Sequence, residues 1–427
     1  MPDAFQRVSS IRFGLLVSIV LAMQLISPAA AQAQTPTGKL VISEFRLRGP
    51  NGANDEFIEI YNNTPPGSGA FVVSATSGTG FGIAASDGVT RCTIPNGTVI
   101  NVGGTFLCVN SVGYSLAAYP SRNTPTATTA TGDATYTIDI PDNAGIALFN
   151  NNTGGANYSL ANRLDAVGST AETNTLYKEG TGYPALTPFS IEYSFVRDEC
   201  GKEGSIATFG PCPSDAHPVD TDNNATNFIF VSTNAESVGA GQRLGAPGPQ
   251  NLSSPRSFPG SFPALMLDRN FPATGPPNRV RDLTPNPANN STFGTLEFRR
   301  LMGNGSGLPI LELRFRIIDL TTSPAPAGIA DLRALTSADI EISGITDPIT
   351  CGGFGSPPPP CTITVRGTTL EMPPSQPNGG GFNASLRLNG PATGLENIKV
   401  RFVFGVQQTG LFKFYIKGEA IQQSFQP

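Results

Sequence analysis

The chain has 427 residues, of which 39% are hydrophobic and 14% are charged, and its formal net charge is -5 at pH 7. The low charge and the sizeable hydrophobic fraction exclude the disordered class and leave enough apolar residues for more than one domain. The acidic balance argues against a nucleic-acid partner, because phosphate binding requires clustered Lys and Arg. With 48 Gly and 38 Pro but no strict period, the composition favours short strands joined by tight turns.

The first segment has the pattern of a secretory signal peptide. Two arginines precede an apolar stretch from Phe13 to Ile26, and small residues follow it. The stretch is about fourteen residues long, whereas a membrane-spanning helix needs about twenty. We therefore predict that residues 1–33 are removed by cleavage after Ala31 or Ala33, which gives a secreted mature chain without a transmembrane segment. The alternative is an uncleaved N-terminal anchor.

The residues that follow predict two strands around a turn, from Leu40 to Phe45 and from Phe57 to Tyr61. Further short runs rich in β-branched and aromatic residues occur between Thr90 and Val109, separated by Pro-Asn-Gly and Gly-Gly turns. Short runs at this close spacing are typical of a β-sandwich or a β-barrel.

Several of these segments resemble the lamin tail domain family, in its secreted bacterial branch. The matching segments are, in order, Val41–Phe45, Glu56–Asn62, Ile94–Thr98 and Gly103–Leu107. Looser matches follow at Arg163–Gly168, Ser190–Arg197 and Asp220–Asn224. The resemblance extends over about residues 38–245.

The resemblance implies an immunoglobulin-like β-sandwich that serves interaction or anchoring, and it supplies no catalytic residues. The stretch of about 114–175 exceeds the length of the compact family domain and is rich in Ser, Thr, Asn and Gly. We expect it to be an inserted loop region.

A Pro-rich connector is expected over residues 246–284, extended and semi-rigid, and a second β-sandwich domain over residues 285–421. The fold class is thus all-β, with two β-sandwich domains joined by the connector. In the second domain, residues 311–317 alternate between apolar and charged side chains, which predicts a strand with one buried and one solvated face. A single helical turn is expected at Asp331–Leu335.

Four arginines of the second domain are expected to be exposed: Arg299, Arg300, Arg314 and Arg316. They could form a basic strip that binds a polyanion. Because Glu297 and Glu312 lie beside them, a cross-strand salt-bridge face is the favoured interpretation.

Six cysteines form three sequence-local couples in a chain expected to reach an oxidising compartment. The local pairing predicts the disulfides Cys92–Cys108, Cys200–Cys212 and Cys351–Cys361. Six cysteines allow fifteen pairings, and the spacing favours the local pairing without excluding the others. A zinc site would need couples such as C-x2-C, which do not occur.

Histidine content argues against the commonest catalytic sites, because the chain has one histidine, His217. A catalytic triad needs a histidine base, and zinc enzymes use two or three imidazole ligands. A glycosidase needs only two carboxylates about 5 to 9 Å apart, and Glu44 and Glu59 lie on strands that could be neighbours. We interpret both as structural and predict no catalytic residues.

The run from Asp220 to Asn224 places oxygen side chains at alternate positions, which suits a hard cation such as calcium. Asp220, Asp222 and Asn224 are the candidate ligands, and calcium is the one cofactor that the sequence suggests. Ala225 and Val231 occupy positions where an EF-hand has Gly and Glu, so an EF-hand is excluded. The favoured alternative is an Asx-turn loop whose side chains bond their own backbone.

These patterns predict a secreted, non-catalytic binding or structural protein of the extracellular space or cell surface, acting in adhesion or as a scaffold. The expected partner is an extracellular protein or polysaccharide. One alternative is a secreted hydrolase or hydrolase-accessory protein, since lamin tail domains also occur beside secreted hydrolases. Another is a calcium-dependent polysaccharide-binding protein that uses the loop at Asp220.

Overall fold

A computed structural model describes residues 39–65, 67–120, 130–200, 212, 217–257, 262–305, 307–324, 329–352, 358–373, 376, 378–390 and 397–422. The predicted signal peptide, residues 1–33, lies outside these ranges. The described residues form 24 strands and one short α-helix, α1 (Asn224–Asn227). The predicted all-β fold class is confirmed. Within the described ranges, no helix has the length and apolar character needed to cross a bilayer.

The strands of the first half are β1 (Leu40–Arg46), β2 (Phe57–Asn62), β3 (Phe71–Val72), β4 (Gly80–Ala85), β5 (Thr90–Pro95), β6 (Val99–Ile100), β7 (Thr105–Asn110), β8 (Ala134–Tyr136), β9 (Ile146–Phe149), β10 (Arg163–Val167), β11 (Tyr193–Arg197) and β12 (Phe228–Ser232). Those of the second half are β13 (Arg256–Ser257), β14 (Ala264–Met266), β15 (Arg279–Asp282), β16 (Thr295–Gly303), β17 (Ile310–Leu320), β18 (Asp331–Leu335), β19 (Ile340–Ile345), β20 (Cys361–Val365), β21 (Thr368–Glu371), β22 (Ser385–Leu388), β23 (Asn397–Gln408) and β24 (Phe414–Gln422). Short 3-10 helices lie at Leu116–Ala118, Gly155–Asn157, Thr175–Tyr177 and Pro287–Asn289.

Two sheets form the N-terminal sandwich. One sheet has the strand order β12-β11-β1-β2-β7-β8, and the other has the order β10-β9-β4-β5. Apolar side chains from both sheets share one core, which includes Phe45 of β1, Ile58 of β2, Ile83 of β4 and Leu148 of β9. The disulfide between Cys92 of β5 and Cys108 of β7 links the two sheets through this core.

The segment of about 114–175 was expected to be an inserted loop region, but it supplies β8 of the six-stranded sheet and β9 and β10 of the four-stranded sheet. The apolar run Ile146–Phe149 forms β9, which lies between β4 and β10, and all four of its residues are buried. Four consecutive apolar residues of this kind suit a strand covered on both faces. The Gly- and Asn-rich residues around them form the turns.

The C-terminal sandwich also has two sheets, with the orders β13-β24-β17-β22-β21 and β14-β16-β23-β18, and β15 pairs with β16. Phe298, Phe315, Leu386 and Phe402 meet in the core between them. Two short ribbons, β3 with β6 and β19 with β20, lie outside the four sheets.

Residues 246–284 were expected to form an extended connector, but they contribute β13, β14 and β15 to the C-terminal sandwich. Their extended backbone can pair at sheet edges, where proline is tolerated because one side of the strand needs no partner. At β13 the amide of Ser257 donates to the carbonyl of Gly103 in the N-terminal sandwich, at 3.2 Å. A Cβ at Gly103 would lie 2.1 Å from the Ser257 carbonyl oxygen, so this contact requires glycine.

The remaining disulfides close local loops. Cys200–Cys212 follows β11, and Cys351–Cys361 leads into β20. Together with Cys92–Cys108, these are the pairs that sequence proximity predicts. Asp331–Leu335, where a helical turn was expected, is strand β18. It pairs with the longer strand β23, so its backbone groups form hydrogen bonds between strands instead of within a helix.

The strand predicted at residues 311–317 is part of β17, and Leu313, Phe315 and Ile317 are buried in the core as expected. The charged face of β17 differs from the prediction, because Arg314 and Arg316 are 1% and 5% exposed. This face is covered by the six-stranded sheet of the N-terminal sandwich. The contacts between the two sandwiches combine the polar contacts of Glu44 with a small apolar cluster of Ile229, Val231 and Phe382.

Candidate functional site

An open cavity of about 440 Å³ lies at one end of the C-terminal sandwich, beside the connection between β23 and β24. Its apolar lining comes from Val280, Leu296, Ala330, Leu332, Val406 and Phe412. Four of these side chains also belong to the core of the sandwich, and Phe412 packs against that core. The cavity is thus an opening into the core.

Polar groups lie on one side of this cavity. Arg279 and Arg281 come from β15, and Thr274 and Thr409 come from neighbouring loops. Because side chains two residues apart on a strand point to the same face, the two guanidinium groups share one side of β15. The site combines an apolar interior with a cationic edge.

The volume falls within the range of about 300–1,000 Å³ typical of small-molecule sites, which are also mainly apolar with a few polar groups. Sequence reasoning missed this site. Its walls come from segments near residues 276–281, 296, 330–332 and 406–412, and no short motif spans them. The available signal was the pair Arg279 and Arg281 in a segment interpreted as a connector.

The three predicted calcium ligands do not converge on one point. Asn224 is fully buried, and its Oδ1 accepts hydrogen bonds from the amides of Gly168 at 3.0 Å and Glu179 at 2.9 Å. Its Nδ2 donates to the carbonyl of Ala166 at 2.8 Å. Asp222 is exposed. The Asn224 amide is therefore committed to the backbone, as in the favoured alternative of a self-bonded loop, and these residues do not fit a calcium site.

The structure places Asp220 with two other carboxylates instead. Oxygens of Asp165, Glu179 and Asp220 lie within 4.8 Å of one another. Arg197 forms ion pairs with Asp165 at 2.6 Å and with Asp220 at 3.1 Å, and Arg163 forms one with Glu179 at 3.2 Å. Burial, and then the charge of Asp165, raises the pKa of Glu179 to about 9. With Glu179 protonated, two arginines balance two carboxylates, so the cluster needs no cation for neutrality.

We expect Asn224→Ala to lower the free energy of unfolding by about 3 kcal/mol, because two backbone amides and one carbonyl lose their buried partner. Asp222→Asn is the matched control at an exposed position and is expected to change stability by less than about 0.5 kcal/mol. Urea denaturation of both variants, with calcium and with chelator, measures these effects. A calcium-dependent loss in Asp222→Asn would restore the calcium interpretation.

Glu44 and Glu59 face each other across β1 and β2, as their strands suggested. Glu44 accepts hydrogen bonds from the amide of Gly248 at 2.8 Å and from Asn383 at 3.1 Å. Glu59 accepts from Ser43 at 2.6 Å and from the amide of Gln250 at 2.7 Å. The cavity that both carboxylates border has a volume of only about 30 Å³, far below that of a substrate site. Their position supports the structural interpretation.

These glutamates belong to an interface network, which we define as Glu44, Glu59, Arg314, Arg316 and Glu419. Nε of Arg316 donates to Glu419 at 2.9 Å, and Nε of Arg314 donates to the other oxygen of Glu419 at 2.7 Å. Nη1 of Arg316 also donates to Oδ1 of Asn383 at 2.7 Å, and Asn383 bonds Glu44. The network links the sheets of the two sandwiches.

The expectation that Arg314 and Arg316 are exposed is therefore wrong, because the second sandwich packs against the first. The salt-bridge interpretation agrees with the contacts of Arg299, which lies 2.5 Å from Glu297, and of Arg314 and Arg316 with Glu419. His217 lies at the surface.

Comparisons of the chain with protein-family models, with curated proteins and with solved structures found no match.

Proposed function

We propose that this protein is a secreted, non-catalytic binding protein whose ligand enters the cavity of the C-terminal sandwich. The observation that carries the proposal is the open cavity of about 440 Å³ with apolar walls. Protein interiors pack nearly as densely as organic crystals, so a sandwich ordinarily closes its ends with side chains. An open cavity lined by core residues such as Leu296 and Val406 supports a bound ligand as its purpose.

Secretion is supported by the three disulfides, because such bonds persist in oxidising compartments. The signal-peptide pattern of residues 1–33 is the second support. The non-catalytic part of the proposal is supported by the commitment of Glu44 and Glu59 to the interface network.

The resemblance of residues 38–245 to the lamin tail domain remains part of the proposal. Three of its strongest motif segments fall in β1, β2 and β7, which lie side by side in one sheet. Its three looser segments meet at the ion pairs of Arg197 with Asp165 and Asp220. In this view the N-terminal sandwich is the anchoring module, and the C-terminal sandwich is the ligand-binding one.

The proposal is tested with Nile red, a neutral apolar dye whose fluorescence rises in apolar surroundings. We expect the mature protein, residues 34–427, to bind it saturably at one site. Thr409→Trp places a large side chain at an exposed lining position and should weaken binding by about tenfold or more. Thr364→Trp, at an exposed position on β20, is the matched control and should bind as the wild type does.

Two results would contradict the proposal. One is the absence of saturable dye binding, and the other is equal weakening by Thr409→Trp and Thr364→Trp. A parallel panel of glycosidase, esterase and nuclease substrates completes the test, because turnover would point to the hydrolase alternative.

A further inference from the structure

We infer that the ligand of the cavity is an amphipathic anion, with an alkyl chain in the apolar interior and a carboxylate beside Arg279 and Arg281. This inference rests on the proposed function and names the chemical class of the ligand. It follows from three features of the cavity: its walls, its arginines and its rim.

The walls suit an alkyl chain. Leu296, Ala330, Leu332 and Val406 are between 1% and 6% exposed, and all four belong to the core between the two sheets. The lining thus presents methyl and methylene groups rather than hydrogen-bonding groups. A flexible alkyl chain that enters here transfers its own apolar surface from water to the core, which is the main source of affinity for such ligands.

The arginines differ from others of the same sandwich in their partners. Arg299 and Arg333 form ion pairs with Glu297 and Asp331, at 2.5 and 2.7 Å. Among the described residues, neither arginine of the cavity forms an ion pair with a carboxylate. Their positive charge is therefore available to a ligand.

Backbone carbonyls hold these two guanidinium groups in place. Nε of Arg279 donates to the carbonyl of Thr274 at 3.1 Å. Arg281 donates to the carbonyl of Thr295 at 2.9 Å and also to that of Phe293. Carbonyls orient a guanidinium without neutralising it, and a guanidinium fixed in this way is suited to a carboxylate.

The acidic residues nearest in sequence are already engaged. Asp282 accepts a hydrogen bond from the amide of Thr284 at 2.8 Å, and Asp331 is paired with Arg333. Asp282 stays charged, because hydrogen bonds from Thr284 and the charge of Arg281 lower its pKa. Arg279 and Arg281 exceed this carboxylate by one positive charge, which favours an anionic head group over a cationic one.

The chain neighbours of the lining residues include large apolar side chains exposed to solvent. Leu283, which follows β15, is 73% exposed, and Leu411, which lies between Gly410 and Phe412 of the lining, is also 73% exposed. An alkyl ligand that crosses this region covers apolar surface that water otherwise contacts. A purely polar anion would gain nothing from it.

The test compares decanoate with decanol, which have the same chain length and differ in head-group charge. Isothermal titration of the mature protein at low ionic strength should give an affinity for decanoate about tenfold higher than for decanol. Added salt should reduce this difference, because exposed charges are screened. Thr409→Trp should weaken both ligands alike.

Arg279→Gln should remove most of the preference for decanoate, and Arg279→Lys should keep part of it. Lys399→Gln removes one positive charge from β23 outside the cavity lining and is the matched control, with the preference unchanged. Circular dichroism establishes that the variants are folded.

The outcomes separate the inference from the proposed function. Equal affinities for decanoate and decanol, both lost in Thr409→Trp, would overturn the anionic head group and leave the proposed binding site intact. Failure of both ligands and of Nile red to bind would overturn the site and the inference together. A preference for decanoate that persists in Arg279→Gln would show that a group other than Arg279 binds the carboxylate.

Discussion

Replacing Arg316 by methionine is expected to lower the free energy of unfolding by about 3–5 kcal/mol, because it breaks a buried ion pair and removes one of the two arginines that balance Glu419. Arg316 is 5% exposed and bonds both Glu419 and Asn383. Burial lowers its pKa, but the charge of Glu419 outweighs that effect and raises the pKa above its usual range. Urea denaturation monitored by circular dichroism measures the change.

The matched control is Arg48→Met, which removes an ion pair with Asp142 at the surface. The side chain of Arg48 is 26% exposed, so the loss should be at most about 1 kcal/mol. If Arg316→Met lost no more stability than Arg48→Met, the interface between the sandwiches would not be closed in solution. A double variant with Glu419→Leu should lose more stability than Arg316→Met alone, because it also leaves the buried Arg314 without its hydrogen-bonded carboxylate partner.

The second large effect is a dependence of stability on pH. Burial raises the pKa of Glu56 and of Glu59 to about 8 and that of Glu179 to about 9, from an ordinary value of 4.5. These carboxyls bind protons more tightly in the folded protein than in the unfolded chain. Their contribution is therefore fully present below about pH 4.5, and it is lost as the pH rises through the folded values. Each unit of pKa difference corresponds to about 1.4 kcal/mol, so the loss is on the order of several kcal/mol.

Glu419 has the opposite dependence. Burial raises its pKa, but the charges of Arg314 and Arg316 prevail and lower it to about 2. Its contribution is present above an ordinary pKa of 4.5 and is lost as the pH falls toward 2. We therefore expect a higher melting temperature near pH 5 than near pH 8.5, with a further decline below pH 4.

Glu56→Gln isolates one of these carboxyls. Within the described part of the chain, Glu56 has no arginine partner. Its oxygens accept hydrogen bonds from Asn110 and from the amide of Ile140, both at 2.8 Å. The variant should match the wild type near pH 5 and lose less stability near pH 8.5, because glutamine does not ionise. Glu341→Gln, at an exposed position of β19, is the control and should keep the full dependence. A wild-type melting temperature that rises steadily from pH 5 to pH 8.5 would be incompatible with these buried neutral carboxyls.

Local patterns predicted the fold class and some of the strands because alternation and turn residues act over a few neighbours. The runs Leu40–Phe45 and Phe57–Tyr61 became β1 and β2 for this reason. What local patterns could not show was the burial of the charged face of β17. Alternating apolar and charged residues predict a strand with one buried and one solvated face. Arg314 and Arg316 are interior residues only because the other sandwich packs against this face.

Local patterns could not predict the candidate site either, because its lining residues are far apart in the sequence. Its cationic edge comes from Arg279 and Arg281, and its walls come from strands that precede and follow β17. The loop at Asp220 had a pattern of oxygen side chains that suits either a cation or the backbone. Only the distances around Asn224 decide between them.

The interface between the two sandwiches also sets the order in which the protein can be completed during synthesis. Glu44 and its partner Asn383 are 339 positions apart. At about 5–20 residues per second, a ribosome needs roughly 20 to 70 s to cover that distance. Until β17 has been synthesised, the nascent chain lacks Arg314 and Arg316, the arginines that lie opposite Glu44 and Glu59. The interface between the two sandwiches can therefore be completed only after β24, the strand that supplies Glu419, has been made.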